Sequence, residues 1–342
     1  MREKSEIVNE MIKKIAPGTP LREGVDNILK AGTGGLLVVS SDEKVLNLTD
    51  GGFKINDDYT PAKVYELAKM DNAIVISEDI KTIVLANTQL LPDSSITTTE
   101  TGSRHRTAER IAKQTGQLVV SISQRRGVIT LYKEDIRYVL QNSDVVRSKA
   151  DQVLQTLEKY QNVFKAYLQL LGEYEFDDIV MLDNVVVAIQ KAEMVLRMVP
   201  ELELLIAELG SEGRLLDLQL KEILGGTGFE EEKIIKDYIV GNGKTKYEDL
   251  LDLKSIARII GYDSNDNIAE ISVKPKGYRV LSKIPKMPLG IIENLVKKFK
   301  TLNGIMDASI SDLDEVDGIG EVRAQNINQS LRKMKEQYLY IR

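Results

Sequence analysis

Residues 102–110 read Gly102-Ser103-Arg104-His105-Arg106-Thr107-Ala108-Glu109-Arg110, which sets two arginines around the chain's one histidine where a helix is predicted to open. Each guanidinium offers a planar fork of donors that matches phosphate oxygens. A helix N-terminus adds unpaired backbone N–H groups and partial positive charge. Together these are the parts of a polyphosphate clamp. The competing account is an exposed basic first turn of an ordinary helix, where cations face the unfavourable end of the dipole and persist only as solvated side chains.

Composition narrows the chemistry. The 342 residues contain no cysteine and one histidine. Disulfides, thiolate nucleophiles and multi-histidine metal sites within one chain are therefore excluded, and any catalytic metal must rest on oxygen ligands. No apolar run is long enough to cross a bilayer, and the charged, amphipathic segment Met1 to Lys14 lacks the apolar core of a signal peptide. The expectation is a cytoplasmic protein with no membrane partner. The net charge of −6 is uneven: residues 274–342 hold 13 Lys and Arg against 8 Asp and Glu. A basic end on an acidic body points to nucleic acid at that end.

The elements that position these residues follow from hydrophobic period. Short β-branched runs at 35–40, 73–77, 82–86, 118–123 and 128–132 predict buried strands. Thr60-Pro61 starts a helix through Met70, and the helix carrying the clamp stops at Gly116. Strands between helices imply a layered α/β domain. From 144 to 224 the period becomes helical. Val153, Leu157, Tyr160, Phe164, Leu168 and Leu171 form one stripe, more naturally core than cofactor site. The glycine-rich segment 225–247 reads as a loop. Gly243-Lys244-Thr245 is not a phosphate loop, because the position that must be glycine is Tyr238.

Near the end, Val316-Asp317-Gly318-Ile319-Gly320-Glu321-Val322-Arg323-Ala324 is a Gly-x-Gly turn between helical stretches. Its glycines allow close backbone approach to a phosphate, at the start of a helix. A less regular turn lies at Ile284-Pro285-Lys286-Met287-Pro288. Such turns resemble the tandem helix-hairpin-helix domain, which implies sequence-independent contact with the DNA backbone through Lys286, Gly318, Ile319, Gly320 and Arg323.

Three stretches, Lys69-Met70-Asp71-Asn72-Ala73, the run 99–110 and Ser123-Gln124-Arg125-Arg126, resemble the diadenylate cyclase family. With its helical middle and terminal hairpins the whole chain resembles bacterial DNA-integrity scanning proteins of that family. The resemblance implies an α/β cyclase domain at 1–142 with a central sheet flanked by helices. A helical spine at 143–247 and a DNA-binding helix-hairpin-helix domain at 248–342 would follow. It implies condensation of two ATP into cyclic di-AMP and two pyrophosphates with Mg²⁺ or Mn²⁺, and a homo-octamer whose catalytic domains meet face to face. It further implies association with the nucleoid and binding of branched DNA by the hairpins.

By the same resemblance Arg104, His105 and Arg106 hold the triphosphate, with Ser103 and Thr107 adding donors. Asn72, Ala73, Leu90 and Ser123 complete the ATP site. Asp71 is the candidate metal ligand and activator of the 3′-hydroxyl; standing alone, it would read as a strand-entry turn residue. For His105, general base, phosphate ligand and structural imidazole are all open. The family pattern has glycine at Asn72 and threonine at Ser103. Asn72 raises the alternative of a DNA-binding scaffold with an impaired cyclase site. A metal-dependent nuclease is the third reading, and it lacks the expected acidic cluster near Asp71.

Overall fold

The computed structural model describes residues 2–241, 250–263 and 267–340. Within them the chain divides into two compact units, 1–152 with 202–218, and 153–201 with 219–342.

The first unit opens with α1 (Arg2–Ile15) and α2 (Pro20–Ala31), then β1 (Gly35–Val39), α3 (Glu43–Leu46), β2 (Thr49–Asp50), β3 (Phe53–Asp58) and α4 (Pro61–Leu67). It continues through β4 (Ala73–Ile76), β5 (Thr82–Leu90), α5 (Ser103–Thr115), β6 (Leu118–Ser123), β7 (Val128–Lys133) and β8 (Ile136–Val139). The strands form one mixed sheet in the order β2-β5-β4-β1-β6-β7-β8, with β3 also on β5. β1 and β4 run parallel, while β1 pairs antiparallel with β6.

The apolar runs are continuous because the central strands are covered on both faces. Leu37, Val39, Ile74, Ile76, Val120 and Ile122 pack with Ile12, Ile15, Val25 and Ile28 of α1 and α2. Leu36, Val38, Ala73, Val75 and Val119 pack on the other face with Ala108, Ile111 and Ala112 of α5. The sheet thus presents α5 on one side only. β5 runs on to Leu90, past the predicted end at 86, and kinks at Asn87, whose φ of 53° puts it in the left-handed region.

The helical part comprises α6 (Ser143–Asp177), α7 (Leu182–Leu196), α8 (Val199–Leu209), α9 (Arg214–Leu224), α10 (Thr227–Tyr238) and α11 (Leu253–Ile259). On α6 the predicted stripe is core: Leu157, Phe164 and Leu171 are buried. The loop expected over 225–247 is corrected, since 227–238 is helix α10. Gly225 and Gly226, both at positive φ, end α9 and start α10 rather than opening a loop, and Ile234, Ile235 and Tyr238 bury the new helix. Positions 242–249, including the rejected phosphate-loop triplet, lie outside the described residues.

The second unit closes with α12 (Tyr278–Leu281), α13 (Leu289–Phe299), α14 (Leu302–Met306), α15 (Ile310–Asp314) and α16 (Glu321–Tyr340). They share a core built on Leu281, Ile284, Leu295, Leu302, Leu313, Ile319, Ala324 and Ile327. Among the described residues no helix is long and apolar enough to cross a membrane.

Candidate active site

A cleft of about 430 Å³ opens on the α5 side of the sheet, lined by Leu36, Asp71, Asn72, Ala73, Thr88, Gln89, Leu90, Gly102, Ser103, Arg104 and Thr107. That volume suits a nucleotide-sized ligand. Leu36 on β1, Ala73 on β4 and Leu90 on β5 are buried and form an apolar floor. Asp71 and Asn72 are exposed at the entry to β4, where the chain leaves α4. Ser103, Arg104 and Thr107 come from the first turns of α5.

The start of α5 is built to receive an anion. Its N-cap is Gly102, which supplies no side-chain cap, and the first turn carries no acidic residue. The backbone N–H of Arg106 bonds the Gly102 carbonyl at 2.9 Å, whereas the amides ahead of it have no helical partner. The guanidinium of Arg104 lies across Gly34: a Cβ there would fall 2.6 Å from its Nη1. Gly34 has φ +72°, so glycine serves both the backbone and the arginine's seat.

Asn72 is not among the residues with positive φ, so the turn needs no left-handed backbone at this position. Its side chain reaches across the sheet edge, where Nδ2 donates to Oδ1 of Asn87 at 3.1 Å. The glycine of the family pattern is therefore not required here by backbone conformation.

The rest of the motif divides by function. Glu109 accepts from Thr98 Oγ1 at 2.5 Å and Lys113 Nζ at 2.7 Å, and Arg110 Nε donates to the Ile96 carbonyl at 2.9 Å. These residues fasten the 96–99 segment along α5 and do not line the cleft. Arg106 is exposed and outside the lining; half-buried Ser123 is outside it too, its Oγ accepting from the Arg126 amide at 3.3 Å.

His105 is half-buried and turned from the cleft lining toward β7. Its Nδ1 lies 2.9 Å from Tyr132 Oη, which donates to Glu100 Oε1 at 2.7 Å. Arg137 Nε also donates to Glu100 Oε1, at 2.5 Å. Burial pushes the Glu100 carboxyl upward, yet the hydrogen bonds from Tyr132 and Arg137 outweigh it and hold the group below the usual range. Burial lowers His105, opposed by Glu100 and reinforced by Arg137, Arg126 and Arg104. Burial raises Tyr132, with the Glu100 charge adding to it.

Among the described residues no three His, Asp or Glu side chains cluster as a closed metal site. Asp71 with the Thr88, Ser103 and Thr107 hydroxyls is an open, oxygen-only set. It fits a hard divalent cation that takes one carboxylate and completes its shell with water and substrate phosphates.

Sequence reasoning placed Asp71, Asn72, Ala73, Leu90, Ser103, Arg104 and Thr107 here, and all of them line this one cleft. It missed Leu36, Thr88, Gln89, Gly34 and the Glu100–Tyr132 pair. Thr88 lies past the predicted strand end at 86, and its full burial emerges only in the fold.

An anion-receiving helix start over a mixed sheet, with a lone carboxylate opposite, defines a nucleotide-binding α/β domain. Comparison with known proteins agrees. Residues 22–136 match the family described as DisA bacterial checkpoint controller nucleotide-binding, and 140–269 match the DisA bacterial checkpoint controller linker region. The DNA integrity scanning protein DisA of Acetivibrio thermocellus is 50% identical, over 98% of this chain and 96% of its own. That of Carboxydothermus hydrogenoformans is 50% identical over 98% and 99%, and that of Clostridium botulinum Loch Maree 49% over 98% and 98%. Among solved structures, DacA from Staphylococcus aureus is similar at 18% identity and a TM-score of 0.31, over 42% of this chain and 92% of that one. The chain belongs to the DisA family, and its N-terminal domain is a diadenylate cyclase domain.

Proposed function

We propose that the cleft between Asp71 and the start of α5 joins two ATP molecules into cyclic di-AMP, releasing two pyrophosphates. In each half of the reaction a 3′-oxygen bonds to the α-phosphorus of the other ATP, the bond to the pyrophosphate oxygen breaks, and the 3′-hydroxyl proton leaves to solvent or a nearby base. The carrying observation is the opposition of one exposed carboxylate, Asp71, to the uncapped first turn of α5 across an apolar floor.

Each residue has a physical task in this reading. Leu36, Ala73 and Leu90 receive the adenine and exclude water. Arg104 and the α5 amides, with Ser103 and Thr107, bind phosphate oxygens and stabilise charge that grows on the leaving pyrophosphate. Arg106 and Ser123 join the nucleotide from the rim, Arg106 toward the triphosphate. Asp71 orients the 3′-hydroxyl and would hold Mg²⁺ or Mn²⁺ together with the phosphates. When bound, such a cation supplies charge neutralisation and lowers the pKa of the attacking hydroxyl. The two halves of the product are identical, so two copies of the domain, each presenting one ATP, suit it; an octamer of the chain would supply such pairs.

The C-terminal helices support a DNA-binding reading, with the chain organised as 1–142, 143–247 and 248–342. The turns at 284–288 and 316–320 match: Lys286 and Gly318 both have positive φ, of 60° and 83°. Ile284 and Val316 each donate to the carbonyl three residues back, at 3.1 Å. Asn294 Nδ2 donates to the Asp317 carbonyl at 3.0 Å and joins the pair. Exposed Lys286, Gly318 and Gly320 would meet DNA phosphates, with Arg323 beside them. Ile319 acts from within, since its side chain is buried and its amide bonds Val316. Contact of this kind favours DNA shape, such as a branch, over sequence, and would keep the protein with the nucleoid.

The test is incubation with ATP and Mg²⁺ or Mn²⁺, with products separated and identified by mass. Cyclic di-AMP is expected; pyrophosphate release without it, or no turnover at all, refutes the reading. A Gly318→Val chain should bind all DNA sequences more weakly at low salt, and unchanged affinity would refute the hairpin assignment.

A further inference from the structure

A second cavity, of about 440 Å³, lies wholly within the second unit, between α6, α12 and α16. On α6 its lining residues Lys165, Leu168, Gln169 and Phe176 recur at helical spacing and form one stripe. That stripe is roughly 16 Å long, at about 1.5 Å of rise per residue. Gly172 lies on it as well. A Cβ there would fall 2.6 Å from the Tyr338 ring of α16. Glycine inside a helix costs conformational entropy, and here it lets the ring lie on the α6 backbone. Tyr338 stands beside Phe176, with ring centroids 5.4 Å apart and planes tilted by 37°. Val280 of α12 and Met334 of α16 complete the apolar part.

The polar part of the lining is unused by the protein. Lys165, Lys283 and Gln337 are exposed. Among the described residues neither their side chains nor the Tyr338 hydroxyl has a hydrogen-bond or ion-pair partner. No carboxylate lines the cavity. Glu175, next to Phe176, is fully buried in an ion pair with Arg279, and Glu173 accepts from Gln169 Nε2 at 3.5 Å. The groove thus joins an aromatic wall to two unpaired cations. A ligand that satisfies it has a flat aromatic body, edge heteroatoms for the glutamine amides and an anionic group for the lysines. A nucleotide has all three. An acyl chain would use the apolar part alone and leave the amides against hydrocarbon.

We propose that this groove is a second nucleotide site, in which a nucleobase lies against Tyr338 and Phe176 and Lys165 and Lys283 hold the phosphate. Gln169 and Gln337 meet the edge of the base. The site shares no residue with the Asp71 cleft, and the inference does not rest on the cyclase reading. The chemistry it recognises is common to a free mononucleotide and to cyclic di-AMP, and the experiment separates these two sources.

Met334 lines this groove and no methionine lines the Asp71 cleft, so a methionine methyl signal reports this site. The full chain labelled with ¹³C-methyl methionine carries nine such groups, and Met334→Leu assigns the one in the groove. Titration with 5′-AMP should shift the Met334 signal through the ring current of the base, and saturate. Lys165→Ala and Lys283→Ala, both at exposed positions, should each weaken that titration about five-fold or more. Added salt should weaken it in the wild-type chain. Tyr338→Leu keeps apolar bulk, loses the ring and should weaken it too. Arg104→Ala, which takes a phosphate ligand from the Asp71 cleft, should leave it unchanged.

A parallel titration with cyclic di-AMP identifies the source. Saturation at lower concentration than 5′-AMP assigns the groove to the dinucleotide, and a weaker response assigns it to mononucleotides. A Met334 signal that moves with neither nucleotide at millimolar concentration overturns the proposal, as does a titration unchanged in both lysine variants. Inorganic phosphate that binds as tightly as 5′-AMP would mark an anion patch without a base site, and laurate that binds where the nucleotides do not would mark an acyl groove; either result refutes it. Loss of the Met334 response in Arg104→Ala would place the binding at the Asp71 cleft and refute it equally.

Discussion

Asp71 is exposed at the cleft, has no hydrogen-bond partner among the described residues, and is the single carboxylate in the lining. A carboxylate so placed adds little to folding and is available to a cation and a ribose hydroxyl. Asp71→Asn keeps shape and removes charge, so cyclic di-AMP formation should fall on the order of 100-fold or more while the melting temperature stays unchanged; chromatography and a thermal scan decide it. Its neighbour makes the opposite case. Asn72 needs no special backbone angle and turns its amide to Asn87, away from the role of obstruction. Asn72→Gly should therefore alter the cyclase rate by less than about three-fold and cost roughly 0.5–1 kcal/mol through backbone entropy, read from denaturant unfolding. A large gain in rate on that substitution would restore the impaired-scaffold alternative.

At the scale of elements, α5 serves two masters: its uncapped first turn faces the cleft, and Glu109, Arg110 and Lys113 hold the 96–99 segment on its flank. This explains why one short motif was readable as a site while half of its residues do other work. Gly34→Ala tests the seat of the helix. The added Cβ would meet Arg104 Nη1 at 2.6 Å and the Ile122 carbonyl at 3.1 Å, at a φ of +72°. The arginine must shift, so KM for ATP should rise several-fold with a stability loss of about 1 kcal/mol or more. Strands β1, β4, β6 and β7 were legible because burial on both faces makes them predominantly apolar, β-branched runs, broken only by Ser121 and Thr130 within their buried stretches. β3, Phe-Lys-Ile-Asn-Asp-Asp, was not: it is largely exposed, bulged at Asn56, and held by backbone pairing to β5. α10 hid behind a glycine pair that serves as a helix boundary. The hydrogen-bonded trio Glu100, Tyr132 and His105 was equally hidden, because its members come from separate stretches and meet only through the sheet.

α10 also carries a pH dependence. Burial, with Glu193 and Glu232 adding repulsion, raises the Glu231 carboxyl from 4.5 to about 8. Its Oε1 is buried without a hydrogen-bond partner. A folded-state pKa above the unfolded value means the folded chain holds the extra proton between the two, so stability falls as pH rises from about 4.5 to 8 and levels off beyond. Glu231→Gln keeps the neutral form at every pH. It should flatten that slope and raise stability at pH 8 by about 1 kcal/mol or more, measured by urea unfolding at pH 5 and pH 8; parallel slopes in the two chains would refute it.

For the whole molecule the decisive question is how many copies make one product. Cyclic di-AMP has two equivalent phosphodiester bonds, and each cleft here offers one carboxylate and one anion-receiving helix start. On the proposed reading one domain would complete half of the chemistry, and closure of the ring would need a second cleft opposite the first. If wild-type and Asp71→Asn chains are co-expressed in equal amounts and pair at random, only pairs with two intact carboxylates close the ring. Activity per total protein should then be about one quarter of wild type, rather than the about one half expected of independent sites. A two-fold dilution of activity would mean that each chain acts alone, and the symmetry of the product would then have no counterpart in the assembly. The quarter-activity result, with the mixed chains shown to have exchanged, would assign catalysis to the pair and leave the basic C-terminal region, with its 13 Lys and Arg to 8 Asp and Glu, to act on a catalytic unit larger than itself.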